Sequence, residues 1–225
     1  MTSGDLYVVA TPIGNLEDIT LRALRILRSV KLITAEDTRH SRKLLSHYGI
    51  HTRLTSYHEH NQRTKTEKIL EWLADGDVAA ITDAGTPGIS DPGYELIAQA
   101  LEAGIRVIAV PGANAITTSL SASGLPTDAF RFYGFPPRKD GELRQYLAER
   151  ANYAETLVFY ESPNRLIKTL DAMRAAFGER QAVVGLEVTK LFEEFARGTF
   201  SELINHFTHE PIRGEVTLMV RGKVQ

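Results

Sequence analysis

The chain has no cysteine among its 225 residues, which removes disulfides and thiolate chemistry and suits a reducing cytoplasm. It has no apolar run near the roughly 20 residues that a membrane span requires. It has no basic, apolar, small-residue leader, because a strand-like stretch from Leu6 to Ala10 begins almost at once. Neither sign of charge prevails. Lysine and arginine number 26 against 28 acidic residues, a formal charge of −2, so any nucleic-acid partner would be met by local patches rather than by the overall field. The Gly-x-Gly-x-x-Gly fingerprint of the Rossmann sheet is missing too. What remains is ordinary for a soluble globular protein: 43% hydrophobic and 24% charged residues, enough for one large domain or two small ones.

What is present is organised around residues 82 to 93, Thr-Asp-Ala-Gly-Thr-Pro-Gly-Ile-Ser-Asp-Pro-Gly. The apolar run Val78 to Ile81 leads in, and a helical pattern from Tyr94 to Ala103 leads out. Strand, glycine-rich loop and helix is the arrangement by which α/β proteins hold small ligands at strand ends. Gly85 and Gly88 allow close backbone approach, while Asp83 and Thr86 supply an acceptor and a hydroxyl. Asp91 is expected to cap the following helix, with Pro92 as its first residue. A merely structural strand-to-helix turn would read the same way.

Taken in order, strands are expected at Leu6 to Ala10, Lys31 to Ala35, Arg53 to Tyr57, Val78 to Ile81 and Ile105 to Val110. Between the first two lies a helix from about Thr20 to Ser29, with Leu21, Leu24 and Leu27 inward. Its Arg22, Arg25 and Arg28 form either a solvated face or a phosphate-binding stripe. The next helix carries Arg42 and Lys43. The alternation predicts a largely parallel five-stranded sheet covered by helices. A helix from Ala115 to Ser123 leads to a second unit with strands at Phe130 to Gly134, Thr156 to Tyr160, Ala182 to Val188, Leu191 to Arg197 and Glu215 to Arg221. Few helices intervene, which favours a mixed sheet. The expectation is therefore an α/β protein of two α/β domains, 1–112 and 113–225, packed around a shared cleft. His58-Glu59-His60 lacks a third ligand at a recognisable interval, so no metal is expected.

Several of these loops carry recognisable words. Ala10-Thr-Pro-Ile-Gly-Asn-Leu-Glu-Asp-Ile-Thr, Ala35-Glu-Asp-Thr-Arg-His, Asp83-Ala-Gly-Thr-Pro-Gly-Ile-Ser-Asp-Pro-Gly, Gly124-Leu-Pro-Thr-Asp and Phe159-Tyr-Glu-Ser-Pro-Asn-Arg-Leu resemble the tetrapyrrole methylase superfamily. Within it they resemble the ribosomal RNA small subunit methyltransferase I branch, over residues 5 to 222. Ala113 and Leu186 depart from that branch, which often has proline and usually arginine there. Members of the branch also commonly continue past residue 225 with a basic helical segment.

The resemblance implies two α/β domains with S-adenosyl-L-methionine bound between them and S-adenosyl-L-homocysteine as product. It implies methylation of the 2′-hydroxyl of a cytidine in the decoding region of 16S rRNA, within the small ribosomal subunit, and a homodimer in the cytoplasm. Cofactor contacts carry over to Asp83, Ala84, Gly85, Thr86, Ile89, Asn114 and Ala115, with Pro12, Glu161 and Leu186 also lining that pocket. The acceptor side falls to Glu36 and Asp37, with Glu187 and Lys190, where a carboxylate or a deprotonated lysine would act as base. Arg39, His40, Arg42 and Lys43, with Arg138 and Lys139, would meet RNA. For Glu187 and Lys190 an exposed ion pair, and for Arg39, Arg42 and Lys43 a solvated helix face, explain the residues equally well. Tyr133, Phe135 and Arg144 would complete a single-strand RNA surface. Two other functions use the same features: a methylase of small tetrapyrrole-like molecules, and a non-catalytic module holding a nucleotide-like ligand.

Overall fold

A computed structural model describes residues 4–209 and 212–224. The chain forms two compact units, Met1–Asn114 and Ala115–Gln225. The first runs β1 (Leu6–Val9), α1 (Leu21–Ser29), β2 (Leu32–Ala35), α2 (Thr38–His47), β3 (Leu54–Ser56), α3 (Gln62–Leu73), β4 (Val78–Ile81), α4 (Tyr94–Glu102) and β5 (Val107–Val110). Its five strands are all parallel, in the order β3-β2-β4-β1-β5.

The central strands explain themselves. Leu-Ile-Thr-Ala in β2 and Val-Ala-Ala-Ile in β4 are buried at every position, as strands covered on both faces must be. Val9, Ile33, Ala35, Ala79 and Ile81 pack with Leu27 of α1 and Leu44 of α2 on one face. Leu6, Leu32, Val78 and Ala80 pack with Ile69 and Leu73 of α3 and Leu96 of α4 on the other. Withdrawing each such leucine or isoleucine from water contributes roughly 1.5–3 kcal/mol.

Two expectations for this unit are corrected. Leu21 does not face inward; it is 87% exposed, and Ala23, Leu24, Ile26 and Leu27 form the buried stripe of α1. Asp91 is not the cap of α4. That helix begins at Tyr94 behind Gly93, whose φ of 146° is closed to ordinary side chains, and no side chain caps it. The turn is already made upstream, where Ser90 adopts a left-handed φ of 62°.

The second unit runs α5 (Ala115–Ser123), β6 (Phe130–Phe132), α6 (Asp140–Ala148), β7 (Thr156–Glu161), α7 (Leu166–Phe177), β8 (Gln181–Leu186), β9 (Glu194–Thr199), α8 (Phe200–Thr208) and β10 (Val216–Val220). Its mixed sheet has the order β6-β7-β10-β8-β9, parallel only between β6 and β7. Period-two alternation divides it. Leu157, Phe159, Val184 and Leu218 face α6, α7 and α8, whereas Val158, Val183 and Met219 face Ile116 and Leu120 of α5.

The strand expected at Leu191 to Arg197 starts later, at Glu194. Glu187 (φ 46°) and Thr189 (φ 69°) turn the chain directly after β8, and Leu191 and Phe192 lie exposed in the connection. Antiparallel pairing then gathers Glu161, Leu186, Glu194 and Val216 at one end of the sheet.

Candidate active site

Because every strand of the first unit points the same way, the loops after β1, β2, β4 and β5 emerge at one edge. They are sewn together there. Thr11 and Gly85 form an isolated antiparallel bridge, the Thr11 N–H donating to Gly85 O at 2.8 Å and the Gly85 N–H to Thr11 O at 3.1 Å. The Thr11 hydroxyl also donates to Thr82 O. From the β5 loop, Asn114 Nδ2 donates to Thr86 Oγ1 at 3.3 Å. Pro12, Asp83, Ala84, Gly85, Thr86, Ile89 and Asn114 thus belong to one loop cluster. Gly85 has φ 89°, and a Cβ there would stand 3.5 Å from Ile13 Cγ2.

The ends of β2 and β4 are joined by two further bonds. Asp83 Oδ1 accepts the Asp37 N–H at 3.1 Å, and the Thr82 hydroxyl donates to Glu36 Oε2 at 2.7 Å. Asp37 is the N-cap of α2, its Oδ1 accepting the Arg39 N–H at 2.8 Å. The Arg39 guanidinium closes on the same carboxylate and holds its pKa down to about 2. A carboxylate so engaged makes a poor proton acceptor, which leaves Glu36 and Asp83 as the other half-buried carboxylates of this edge. Arg39, His40, Arg42 and Lys43 are exposed along α2.

In the second unit, Glu187 and Lys190 meet as a salt bridge at 2.7 Å, and Glu215 Oε2 accepts from the same Nζ at 3.1 Å. The Glu187 carboxylate also accepts the Glu215 N–H. Gly214 has a left-handed φ of 82°, and a Cβ there would push that carboxylate aside. The Lys190 hydrogen bond holds the Glu187 pKa below the usual glutamate range. For Lys190, burial favours the neutral amine, but the bonds to Glu187 and Glu215 outweigh it and raise the pKa. Lys190 is therefore a cation at neutral pH and not a deprotonated base.

Glu161 is fully shielded. Its carboxylate accepts from the Ser162 N–H and the Thr169 hydroxyl and pairs with Arg165, which locks β7 to α7. The Leu186 side chain joins the core, so at both positions the side chain is committed to packing within the second unit. Ala115 opens α5. Arg138 and Lys139 are exposed, and Lys139 pairs with Glu142. Tyr133 is not an open stacking surface: it lies against Phe159 at 5.4 Å and under Arg150. Sequence reasoning passed over Thr11, Thr82 and Glu215 as site residues. Thr11 and Thr82 stand at strand ends, a usable signal; Glu215 meets Lys190 only through the fold.

A family model of Tetrapyrrole (Corrin/Porphyrin) Methylases matches residues 5–204. Curated relatives called ribosomal RNA small subunit methyltransferase I match nearly the whole of this chain. The Halalkalibacterium halodurans protein is 51% identical over 97% of this chain and 76% of its own length; that of Pseudomonas aeruginosa is 49% identical over 99% and 80%. This chain belongs to the tetrapyrrole methylases, in the ribosomal RNA small subunit methyltransferase I branch. It is a methyltransferase. Among solved tetrapyrrole methylases, a cobalt precorrin-4 methyltransferase superposes with a TM-score of 0.72 at 17% identity, covering 96% of this chain and 94% of that one. Uroporphyrin-III C-methyltransferase from Thermus thermophilus reaches 0.66 at 23% identity, covering 97% and 94%. At such identities these two speak for the fold alone. Among the described residues no helix is long and apolar enough to cross a membrane, and no cluster of three ligating groups is poised for a metal.

Proposed function

We propose that this protein methylates the ribose 2′-hydroxyl of a cytidine in the decoding region of 16S rRNA, with S-adenosylmethionine as donor and the small ribosomal subunit as substrate. One observation carries the reading: relatives named for small-subunit rRNA methylation share about half of their residues with this chain across 97% of it. A homodimer working in the cytoplasm belongs to the same reading.

The loop cluster fits the donor. Gly85 leaves space beside Ile13 that any Cβ would fill, and Asp83, Thr86 and Asn114 set polar groups around it. Ala84, Ile89 and Pro12 add apolar surface; the assignment of Ala115, Glu161 and Leu186 of the second unit to the donor rests on the family resemblance. When bound, the cofactor supplies a methyl group on a positive sulfur, already an activated leaving group. The protein's task is then alignment, together with help for a weak hydroxyl nucleophile.

Glu36 is the group we assign to receive the hydroxyl proton, since its Oε2 takes the Thr82 hydrogen bond and Oε1 has no partner among the described residues. Asp37 positions α2. Lys190, kept cationic by Glu187 and Glu215, would stabilise negative charge on the acceptor or its phosphate. Arg39, His40, Arg42 and Lys43, with Arg138 and Lys139, would position the backbone without reading sequence.

The test is methyl incorporation from labelled cofactor into 30S subunits, free 16S rRNA and a control without RNA, followed by nucleoside analysis. Label in 2′-O-methylcytidine from 30S subunits is expected. Label on a base, on another nucleoside, or nowhere overturns the proposal.

A further inference from the structure

Beside Glu36 the first unit opens into a cleft of about 760 Å³, between the chain that follows β3 and the Ser90–Glu95 segment at the start of α4. Its volume lies in the range of small-molecule sites. The lining includes the carboxylates Glu36, Glu59, Asp91 and Glu95 with His58 and His60, and neither lysine nor arginine. It holds no three groups poised for a metal.

Two features give it a built character. Ser90 stands in a left-handed conformation that costs a non-glycine residue about 1 kcal/mol or more. Gly93 is buried against Gly88, where a Cβ would come within 3.1 Å of the Gly88 nitrogen. Between them they present Tyr94, 76% exposed, at the rim. Glu95 lies beside it with Oε1 held by Gln99 Nε2 at 2.6 Å.

On the other side, the chain that follows β3 is held by a side-chain pair. Asn61 Oδ1 accepts the His58 N–H at 2.9 Å, which fixes the amide so that its Nδ2 donates to His58 Nε2 at 3.0 Å. The two side chains thereby hold each other in place. Nδ1 is shielded from solvent, so it does not open onto the cleft.

We propose that this cleft receives the unstacked base of the acceptor nucleotide, with Tyr94 as its stacking surface and Glu95 selecting a base that carries an exocyclic amine. The inference rests on the function proposed above and names how cytidine is told from uridine. Carboxylates accept from the amino group of cytosine, whereas the O4 carbonyl of uracil would face them acceptor to acceptor. An aromatic face binds any base, so Tyr94 supplies affinity and Glu95 discrimination.

The experiment uses 30S subunits assembled on 16S rRNA carrying cytidine or uridine at the acceptor position. Tyr94→Ala is expected to lower kcat/KM on cytidine roughly tenfold or more, with Tyr94→Phe restoring it and cofactor affinity unchanged. Glu95→Gln is expected to reduce the preference for cytidine over uridine by roughly tenfold or more, because the amide can also donate. Thermal melting of each variant checks that the fold is intact. If both variants keep the parent's rate and preference, the cleft does not read the base. If the parent methylates neither substrate, the proposed function fails instead, and the parent alone shows it.

Discussion

Asp83 Oδ1 accepts the backbone N–H of Asp37 at 3.1 Å, so a residue at the end of β4 holds the first turn of α2 in place. This bond gives Asp83 a structural duty besides any contact with ligand. Asp83→Ala should lower stability by about 1–2 kcal/mol in denaturant titration, because it strips a half-buried N–H of its acceptor. Asp83→Asn keeps an oxygen for that N–H and should stay near the parent. If Asp83→Asn also binds S-adenosylmethionine like the parent in calorimetry, the carboxylate charge plays no part in cofactor affinity.

At Gly85 the φ of 89° separates backbone strain from occlusion. Gly85→Ala should destabilise by roughly 1–2 kcal/mol from the left-handed penalty, with the new methyl in ordinary contact with Ile13. Gly85→Val adds a branched group on the same side and should lose cofactor binding beyond detection. Unchanged calorimetric affinity in the valine variant would remove this loop from the cofactor site.

The Glu187–Lys190 pair makes a pH prediction with a definite sign. The folded Glu187 pKa lies below its ordinary 4.5, so its contribution is complete above that value and is lost as pH falls through the folded one. The Lys190 pKa lies above its ordinary 10.5, so its contribution is complete below that value and is lost as pH rises through the folded one. The Tm gap between the parent and Glu187→Gln should thus be flat between about pH 5 and 10 and shrink outside that window. A gap that changes near pH 7 would contradict the assignment of Lys190 as a cation.

The fold was largely readable from the chain. Val78–Ile81 and Ala115–Ser123 stand where apolar runs and turn residues put them, since a four-residue buried strand before a glycine loop has few alternatives. The order β3-β2-β4-β1-β5 was not readable, because crossovers that skip a neighbour leave no local mark. Nor was the turn at Glu187 and Thr189: left-handed residues that are not glycine carry no sequence signature, and the strand after them was placed too early. The same limit hid Glu215, which reaches Lys190 across 25 positions.

Arg39 closes on Asp37 at the surface, its side chain 86% exposed, so solvent screening leaves the pair little to add to stability. Arg39→Ala should leave Tm nearly unchanged, since the cap uses the Arg39 backbone N–H. Cofactor affinity should stay within about twofold, roughly 0.4 kcal/mol. Methylation of 30S subunits should fall severely, and by the larger factor at low salt, because one phosphate contact fewer flattens the salt dependence. Equal methylation by variant and parent at two salt concentrations would make α2 an ordinary solvated face.

The reciprocal bonds between Thr11 and Gly85 make two loops, 74 positions apart, open only as a pair. Neither amide can reach solvent catalyst until the shared bridge breaks, so both should exchange deuterium with one protection factor. A ligand touching only the β4 loop should slow exchange at Thr11 by the same factor as at Gly85.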